Sequence, residues 1–133
     1  MTRIESENRL IAQSTEKLFN FLTNFNNFEA IMPDKVKDWI STEDSCYFSI
    51  SGIANLGMRI VEKEASSYIK MVDDGDVPFK FDFLVYLEKK SETETEVKLV
   101  FDADLNMMMK AVATKPLKDF LEKLLDKLQE IEL

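Results

Sequence analysis

The chain has very few of the side chains that most enzymes use as nucleophiles, bases or metal ligands. Its 133 residues include no histidine and only one cysteine, Cys46. The lack of histidine excludes His-containing triads, histidine general bases and most zinc sites. With no histidine to activate it, Cys46 is better explained as a small buried hydrophobic residue of a strand than as a nucleophile. A single cysteine forms no internal disulfide, which fits a reducing cytoplasm.

Acidic side chains are numerous, but their spacing matches no metal or catalytic site. Asp102 and Asp104 lie two apart in a strand-like segment, on the face opposite Phe101, so we expect them in solvent. The run Asp73-Asp74-Gly75-Asp76 lacks the spacing of a calcium loop, and a turn between strands explains it better. There is no glycine-rich phosphate loop. We therefore expect neither a metal nor a cofactor, and we assign no catalytic residue.

Two side chains could orient the polar end of a ligand. Arg59 would pair with a carboxylate and Tyr86 with a hydroxyl or carbonyl, if either points into an apolar interior. Strand alternation instead favours the outer face for both. They remain an open alternative, which fails if both side chains lie in solvent.

The overall charge argues against several partners. The formal net charge is −8, and no basic stripe interrupts it, so nucleic acid and an anionic membrane surface are not expected partners. No apolar run approaches the ~20 residues of a membrane-spanning helix. The segment Met1–Glu5 alternates charged and apolar residues and does not resemble a signal peptide. We expect a cytoplasmic protein with no membrane insertion.

The elements that would position any site form one domain, residues 1–133. Loose alternation predicts an edge strand over Thr2–Ala12. Ser14 is a helix N-cap, with Glu16 in the first turn, and a short second helix is expected over Asn27–Ile31 before Pro33. Six further strands are expected by alternation and turn signals, at Val36–Ser41, Cys46–Ser51, Leu56–Ile60, Tyr68–Asp73, Phe79–Leu87 and Glu96–Leu105, with a polar connection over Lys89–Thr95 between the last two.

The first hairpin has a predictable register. A tight turn at Glu43-Asp44 pairs Trp39 with Phe48 and Ser41 with Cys46. One face of the hairpin then carries the side chains of Trp39, Cys46, Phe48 and Ile50.

The strand that follows the hairpin needs an irregularity. A simple two-residue turn at Ala54-Asn55 would place Arg59, rather than an apolar residue, opposite Ile50. An odd-length loop or a bulge near Gly52 or Gly57 would turn the inner face to the apolar residues Leu56, Met58 and Ile60.

The last segment is the longest amphipathic helix. Asn106 is its N-cap, and one apolar stripe runs along its second half. Pro116 lies inside it and removes a backbone donor, so we expect a kink or break near Val112–Lys115. The stripe comprises Leu117, Phe120, Leu121, Leu124, Leu128 and Ile131.

This order of elements predicts an α+β fold of the helix-grip type. An antiparallel curved sheet of about seven strands, in the order β-α-α-β6-α, would wrap around the long C-terminal helix. A ferredoxin-like fold would need a second long helix between the middle strands, and none is found.

The chain as a whole resembles the START, pollen-allergen and polyketide-cyclase superfamily (SRPBCC). The resemblance rests on the order of elements and on four weak motifs: Ser14–Leu22, Phe25–Phe28 followed by Met32-Pro33, Phe79–Asp82, and Lys115–Leu117. It implies a hydrophobic cavity roofed by the last helix. It transfers no catalytic residue, because the superfamily includes carriers, cyclases, co-chaperones and ring-hydroxylase subunits.

The expected function is binding, extending to transport, of a small hydrophobic molecule such as a lipid or polyketide-like compound. Two alternatives stay open: a cyclase- or dehydratase-like enzyme, and a co-chaperone-like protein-interaction module. Methionines at the start of the last helix suit an irregular apolar surface, although core filling explains them as well. The residues expected to line the cavity are Trp39, Phe48, Ile50, Met58, Phe81, Phe83, Phe101, Met108, Val112 and Phe120.

Overall fold

The computed structural model describes residues 1–133 and contains eight strands, two α-helices and one 3-10 helix. The helices are α1 (Thr15–Leu22), the 3-10 helix (Phe25–Ile31) and α2 (Met107–Glu130). The strands are β1 (Thr2–Glu5), β2 (Arg9–Ile11), β3 (Val36–Ser41), β4 (Ser45–Ile50), β5 (Ala54–Glu64), β6 (Tyr68–Asp73), β7 (Phe81–Ser91) and β8 (Glu94–Ala103).

All eight strands form one antiparallel sheet in the order β1-β8-β7-β6-β5-β4-β3, with β2 also paired to β8. Its inner face and the buried sides of α1, the 3-10 helix and α2 share one hydrophobic core. The expected α+β helix-grip architecture is confirmed, with one strand more than expected. One edge of the sheet is formed by β1 and β2 and the other by β3, and both edges become important below.

The predicted single strand over Thr2–Ala12 is wrong, because the segment forms two strands. At the break, Ser6 N donates to Leu99 O and Ser6 Oγ accepts from Leu99 N, both at 2.9 Å. The serine side chain thus replaces a backbone carbonyl of the ladder. The pairing then slips by one residue, from Glu5 opposite Val100 to Arg9 opposite Val97.

The two short helices begin at polar caps. Ser14 Oγ accepts from Lys17 N at 3.2 Å, which confirms the predicted cap of α1. The next helix begins at Phe25, two residues earlier than predicted. The cause is Asn24, whose Oδ1 accepts from Asn26 N at 2.9 Å.

The β3–β4 hairpin contains a bulge that the predicted register lacks. Ser41 pairs with Cys46 as predicted, but Lys37 pairs with Ser49, so Asp38 and Trp39 together lie opposite Phe48. Asp38 has the left-handed φ of 58°. Such a bulge sharpens the strand twist and re-aims the following side chain, which here is Trp39.

The predicted irregularity before β5 is an odd-length loop. Ile50 pairs with Ala54 across three loop residues, and Gly52 in the middle has φ of 86°. This register places Met58 opposite Cys46, on the inner face, and both are buried.

Strands β7 and β8 extend closer to the turn that joins them than predicted. At the other end of the hairpin, β7 begins two residues later and β8 ends two residues earlier than predicted. The polar connection expected over Lys89–Thr95 is instead strand, and only two residues separate Ser91 from Glu94. Lys89 pairs with Thr95 in the ladder, and Lys90 Nζ lies 3.7 Å from Glu96 Oε2, so opposite charges stabilise the polar end of this hairpin.

Helix α2 runs without a break through Pro116, so the break expected near Val112–Lys115 is wrong. A proline inside a helix costs about 3 kcal/mol relative to alanine. Burial of one large apolar side chain contributes about 1.5–3 kcal/mol. The helix buries Leu117, Phe120, Leu121 and several later residues, so packing outweighs the proline.

Candidate functional site

The ten residues expected to line a cavity fall into two groups. Trp39 is half-buried, and seven more lie in the core: Phe48, Ile50, Met58, Phe81, Phe83, Phe101 and Phe120. Met108 and Val112 are on the surface, with exposed fractions of 78% and 59%. The structure therefore places these two residues away from the other eight, because the first half of α2 turns them outward.

The interior between sheet and α2 is filled by stacked phenylalanines. The rings of Phe81 and Phe101 stack with centroids 4.7 Å apart, and Phe79 lies 6.0 Å from Phe81. None of the five main clefts is lined by these rings, by Met58 or by Phe120. A ligand in any of these five clefts would therefore bind outside the stacked rings, for example at the margin between sheet and helix.

The largest of these clefts lies at that margin, where edge strand β1 meets the first half of α2. We call it the β1–α2 groove, and its volume is about 600 Å³. Buried Ile4 and the small side chain of Ala111 provide its apolar part. The remaining lining residues are Arg3, Glu5, Thr114, Lys115 and Lys118.

The cations of the β1–α2 groove differ in their pairing. Arg3 makes two hydrogen bonds to the Asp102 carboxylate at 2.8 and 2.9 Å, and these raise the pKa of the guanidinium. Lys118 Nζ donates to Glu5 O, which ties α2 to the sheet edge. Lys115 makes no ion pair and is exposed, so it is the cation available to a ligand.

Three apolar side chains continue from this region over the outer surface of α2. Met107, Met108 and Val112 are all largely exposed, and Met107 reaches 87%. We call them the methionine patch. Met109 alone of the three consecutive methionines packs against the core.

Trp39 has an unusual environment at the opposite edge of the sheet. Its ring stacks with both Phe28 and Phe48, with centroid distances of 6.4 and 5.1 Å. Its Nε1 is the one buried side-chain nitrogen or oxygen in the protein without a hydrogen-bond partner. Leaving a buried donor unpaired costs about 1–3 kcal/mol. A cleft of about 400 Å³ adjoins this ring, lined also by Met32, Val36 and charged residues.

The two suggested polar handles do not reach the interior. The Arg59 side chain is 55% exposed, and its nearest ion-pair contact is Asp74 Oδ1 at 3.8 Å. Tyr86 is exposed and packs on Tyr68, its cross-strand partner on the outer face. The hypothesis that either orients a ligand inside the fold is wrong, because strand alternation sends both outward.

The titratable groups offer little for catalysis. Burial raises the pKa of the Cys46 thiol, so this cysteine is packed and unreactive at neutral pH. The buried polar side chains are Ser6, Thr15 and Thr95, all hydrogen-bonded, and no carboxylate is among them. Asp73 Oδ1 accepts from Phe81 N at 2.9 Å, which gives it a role in the β6–β7 connection. No group of three acidic or thiol ligands converges on one point.

Sequence reasoning missed the β1–α2 groove. Arg3 and Ile4 face Lys115 across more than a hundred residues of chain, and no local pattern encodes that proximity. The Trp39 cleft was not predicted either, although the predicted register placed Trp39 beside Phe48. The bulge at Asp38 had no signal in the sequence.

Solved structures with the same architecture come from several bacteria and pathways. A START superfamily protein from Mycobacterium smegmatis superposes with a TM-score of 0.72 at 13% identity, covering 96% of this chain and 94% of that one. The protein XoxI from Bacillus cereus gives a TM-score of 0.77 at 12% identity, with 98% and 94% covered. The di-domain ARO/CYC BexL of the BE-7585A biosynthetic pathway gives 0.74 at 15% identity, with 98% of this chain and 46% of that chain covered.

Together with the helix-grip architecture, these likenesses show that the chain has the START-like (SRPBCC) fold. Residues 9–131 match the model of the CoxG family, which is named for a subunit of carbon monoxide dehydrogenase, so the chain belongs to the CoxG family. No curated protein sequence matches it significantly. None of its helices combines the length and apolar character required to span a membrane.

Proposed function

We propose that the protein binds a small hydrophobic molecule, such as a lipid or polyketide-like compound, at the junction of the sheet and α2, and carries it. The observation that supports this most directly is the β1–α2 groove. Its volume of about 600 Å³ falls within the usual range of small-molecule sites, roughly 300–1,000 Å³. It is open in the present conformation, so binding needs no rearrangement of the phenylalanine core.

The chemistry of the groove suits an amphipathic molecule. The apolar part of the ligand would lie on Ile4 and Ala111, next to the methionine patch, whose flexible side chains adapt to irregular shapes. Lys115 at the rim would attract a polar or anionic end. Ligand length is not limited by the groove, because the methionine patch extends the apolar surface along α2.

The two alternatives have less support. A cyclase- or dehydratase-like enzyme needs a positioned acid or base in an enclosed site, and the buried polar groups Ser6, Thr15 and Thr95 are already paired with one another or with backbone. A co-chaperone-like module would use the methionine patch as a protein-binding surface. Pull-down with a Met107→Ser, Met108→Ser variant tests that use, since loss of one specific partner would favour it.

Ligand binding is tested by filling the groove. Ala111 is exposed, so Ala111→Phe should fold normally and occupy the apolar part of the groove. The matched control is Lys110→Phe, an exposed neighbour outside the groove. We expect dodecanol and dodecanoate to bind the unmodified protein, and Ala111→Phe to weaken both at least about tenfold, or about 1.4 kcal/mol. Absence of binding, or equal effects of the two variants, would refute the proposal.

A further inference from the structure

We propose a second binding site at the opposite edge of the sheet, where Trp39 Nε1 donates a hydrogen bond to an uncharged oxygen of a small ligand. The site is the cleft of about 400 Å³ between strand β3 and the connection that precedes it. It shares no lining residue with the β1–α2 groove, so the inference does not depend on the proposed function.

The observation that supports this site is the buried donor Trp39 Nε1, which has no hydrogen-bond partner in a protein whose other buried polar side chains are hydrogen-bonded. Thr15 and Thr95 bond to each other at 2.9 Å, and Ser6 bonds to Leu99, yet Trp39 Nε1 bonds to nothing. Buried donors without a partner are rare, and each calls for an explanation such as an ordered water, an ion or a functional role. A small ligand with an acceptor oxygen supplies the explanation here.

The packing around Trp39 holds the indole ring in place, so its nitrogen does not reach solvent. The bulge at Asp38, with its left-handed φ of 58°, leaves Asp38 and Trp39 together opposite Phe48. The indole ring stacks with both Phe48 and Phe28. Moving the indole ring out into solvent would give up both of these contacts. A donor fixed in direction, next to an apolar wall, is the arrangement that small-molecule sites use to orient a ligand.

The chemical class of the ligand follows from the donor and from the surrounding charge. An indole N–H only donates, so the ligand must offer an acceptor. The cleft is lined by three carboxylates, Glu29, Asp34 and Asp38, against one cation, Lys37. This excess of negative charge disfavours a carboxylate or phosphate. Met32, Val36 and Trp39 provide the apolar surface. The fitting ligand is a small apolar molecule with a neutral carbonyl, amide or ether oxygen.

Binding requires a modest rearrangement, because Nε1 has almost no accessible surface. Met32 lines the same cleft and is only partly buried. Its unbranched side chain can move at little cost. The ligand oxygen would then reach the indole nitrogen while the Phe28–Trp39–Phe48 stack stays in place.

The test uses the fact that Trp39 is the one tryptophan of the chain, so its indole N–H gives a single NMR signal. The probes are acetophenone, ethylbenzene and benzoate, which share size and ring but differ in the acceptor. We expect acetophenone to move the indole proton downfield and to slow its exchange with solvent. Ethylbenzene should bind without that downfield shift, and benzoate should bind most weakly.

Substitutions distinguish the contribution of the indole N–H donor to binding from that of the rest of the cleft. Trp39→Phe keeps an aromatic ring without the donor, and should weaken acetophenone about tenfold while leaving ethylbenzene nearly unchanged. Tyr86→Phe, on the outer face, is the control and should change neither. The proposal would be overturned if acetophenone did not shift the indole proton signal. It would also be overturned if Trp39→Phe weakened the binding of acetophenone and ethylbenzene equally. Ala111→Phe should leave the acetophenone shift intact, so failure of groove binding is seen separately.

Discussion

Tyr47 and Gly57 are direct cross-strand partners in β4 and β5, and the tyrosine ring occupies the space that a side chain at Gly57 would need. A Cβ built on Gly57 would lie 2.6 Å from Tyr47 Cδ1 and would also collide with the carbonyl oxygen of Asp74. The ring therefore lies against the glycine, and its hydroxyl reaches Asp74 in the loop after β6. This contact binds the middle of the sheet to the β6–β7 connection.

Gly57→Ala is expected to destabilise the protein by about 1–3 kcal/mol, the usual cost of overpacking. The reason is steric, since one of the colliding atoms is backbone and cannot rotate away. Urea unfolding followed by circular dichroism measures the change. Gly52→Ala is an informative control, because Gly52 has open space around it and only an unfavourable φ of 86°. If Gly57→Ala were neutral, the close contact with Tyr47 would be wrong.

The second prediction concerns the ionisation of Tyr47. Its hydroxyl donates to Asp74 Oδ2 at 2.5 Å, and this hydrogen bond is the main cause that raises the pKa of the phenol above 10.0. The raised pKa means that the neutral phenol is favoured in the folded state. Its contribution to stability is therefore complete below the unfolded pKa, and it is lost as the pH rises through the folded pKa.

Tyr47→Phe gives the measurement for that prediction. The difference in alkaline absorbance between the unmodified protein and the variant should report a phenol that ionises above pH 10. The stability difference between the two proteins should also shrink over that pH range. Asp74→Asn should lower the Tyr47 pKa, because it removes the anionic acceptor. A Tyr47 signal that titrates normally in the unmodified protein would contradict the hydrogen bond.

A buried hydroxyl pair links α1 to strand β8. Thr95 Oγ1 donates to Gln13 O at 2.9 Å and must therefore accept from Thr15 Oγ1, also at 2.9 Å. Thr95→Val leaves both the Gln13 carbonyl and the Thr15 hydroxyl without their partner. Thr15→Val removes only the hydrogen bond that Thr95 Oγ1 accepts. We expect Thr95→Val to cost about 1–3 kcal/mol and Thr15→Val less.

The double variant of these threonines tests the direction of the bonds. Because Thr95→Val already breaks both, Thr15→Val added to it should cost little or even recover some stability, when no unpaired hydroxyl remains. Chemical denaturation of the four proteins gives the comparison. Equal single effects, or simple additivity, would reject the assigned chain of donors.

Pro116 offers a prediction that connects stability with motion. Pro116→Ala restores the backbone donor for the Val112 carbonyl, so we expect a gain of up to about 3 kcal/mol. Amide hydrogen exchange should slow most in the first half of α2, where Met107 and Val112 are exposed. Lys115→Ala, one residue away on the surface, should change stability by less than about 0.5 kcal/mol. Unchanged exchange in Pro116→Ala would mean that the proline does not loosen this segment.

The parts of the fold that the sequence predicts are those set by local patterns. Alternation located β3 and β6 at their observed bounds, and the mismatch of Arg59 with the apolar face forecast the odd-length loop at Gly52. The bulge at Asp38 escaped prediction because its backbone geometry is imposed by the neighbouring strand and core. The extension of β7 to Ser91 escaped it because polar residues form the ladder there, with backbone pairing and one cross-strand ion pair in place of apolar alternation.

The candidate sites were less predictable, since they depend on pairs of elements that are distant in the chain. Apolar periodicity correctly marked Phe81, Phe101 and Phe120 as inward, but it cannot tell a filled core from a hollow one. Met108 was expected inside because of its residue type. The face of α2 that it occupies is decided by the packing of Ala113 and Leu117, further along the same helix.

The tie between β1, β2 and α2 also constrains how the protein is made. Arg9 Nη1 bonds to Asp126 at 2.6 Å and to Gln129 at 2.9 Å, and Ile4 pairs with Phe101 in the sheet. Strands β1 and β2 thus have partners that are synthesised about a hundred residues later. Their contacts span about a hundred positions, a topology associated with slow folding. Until α2 has emerged, the inner faces of the strands stay uncovered, and the nascent chain is most exposed to misassociation in that interval.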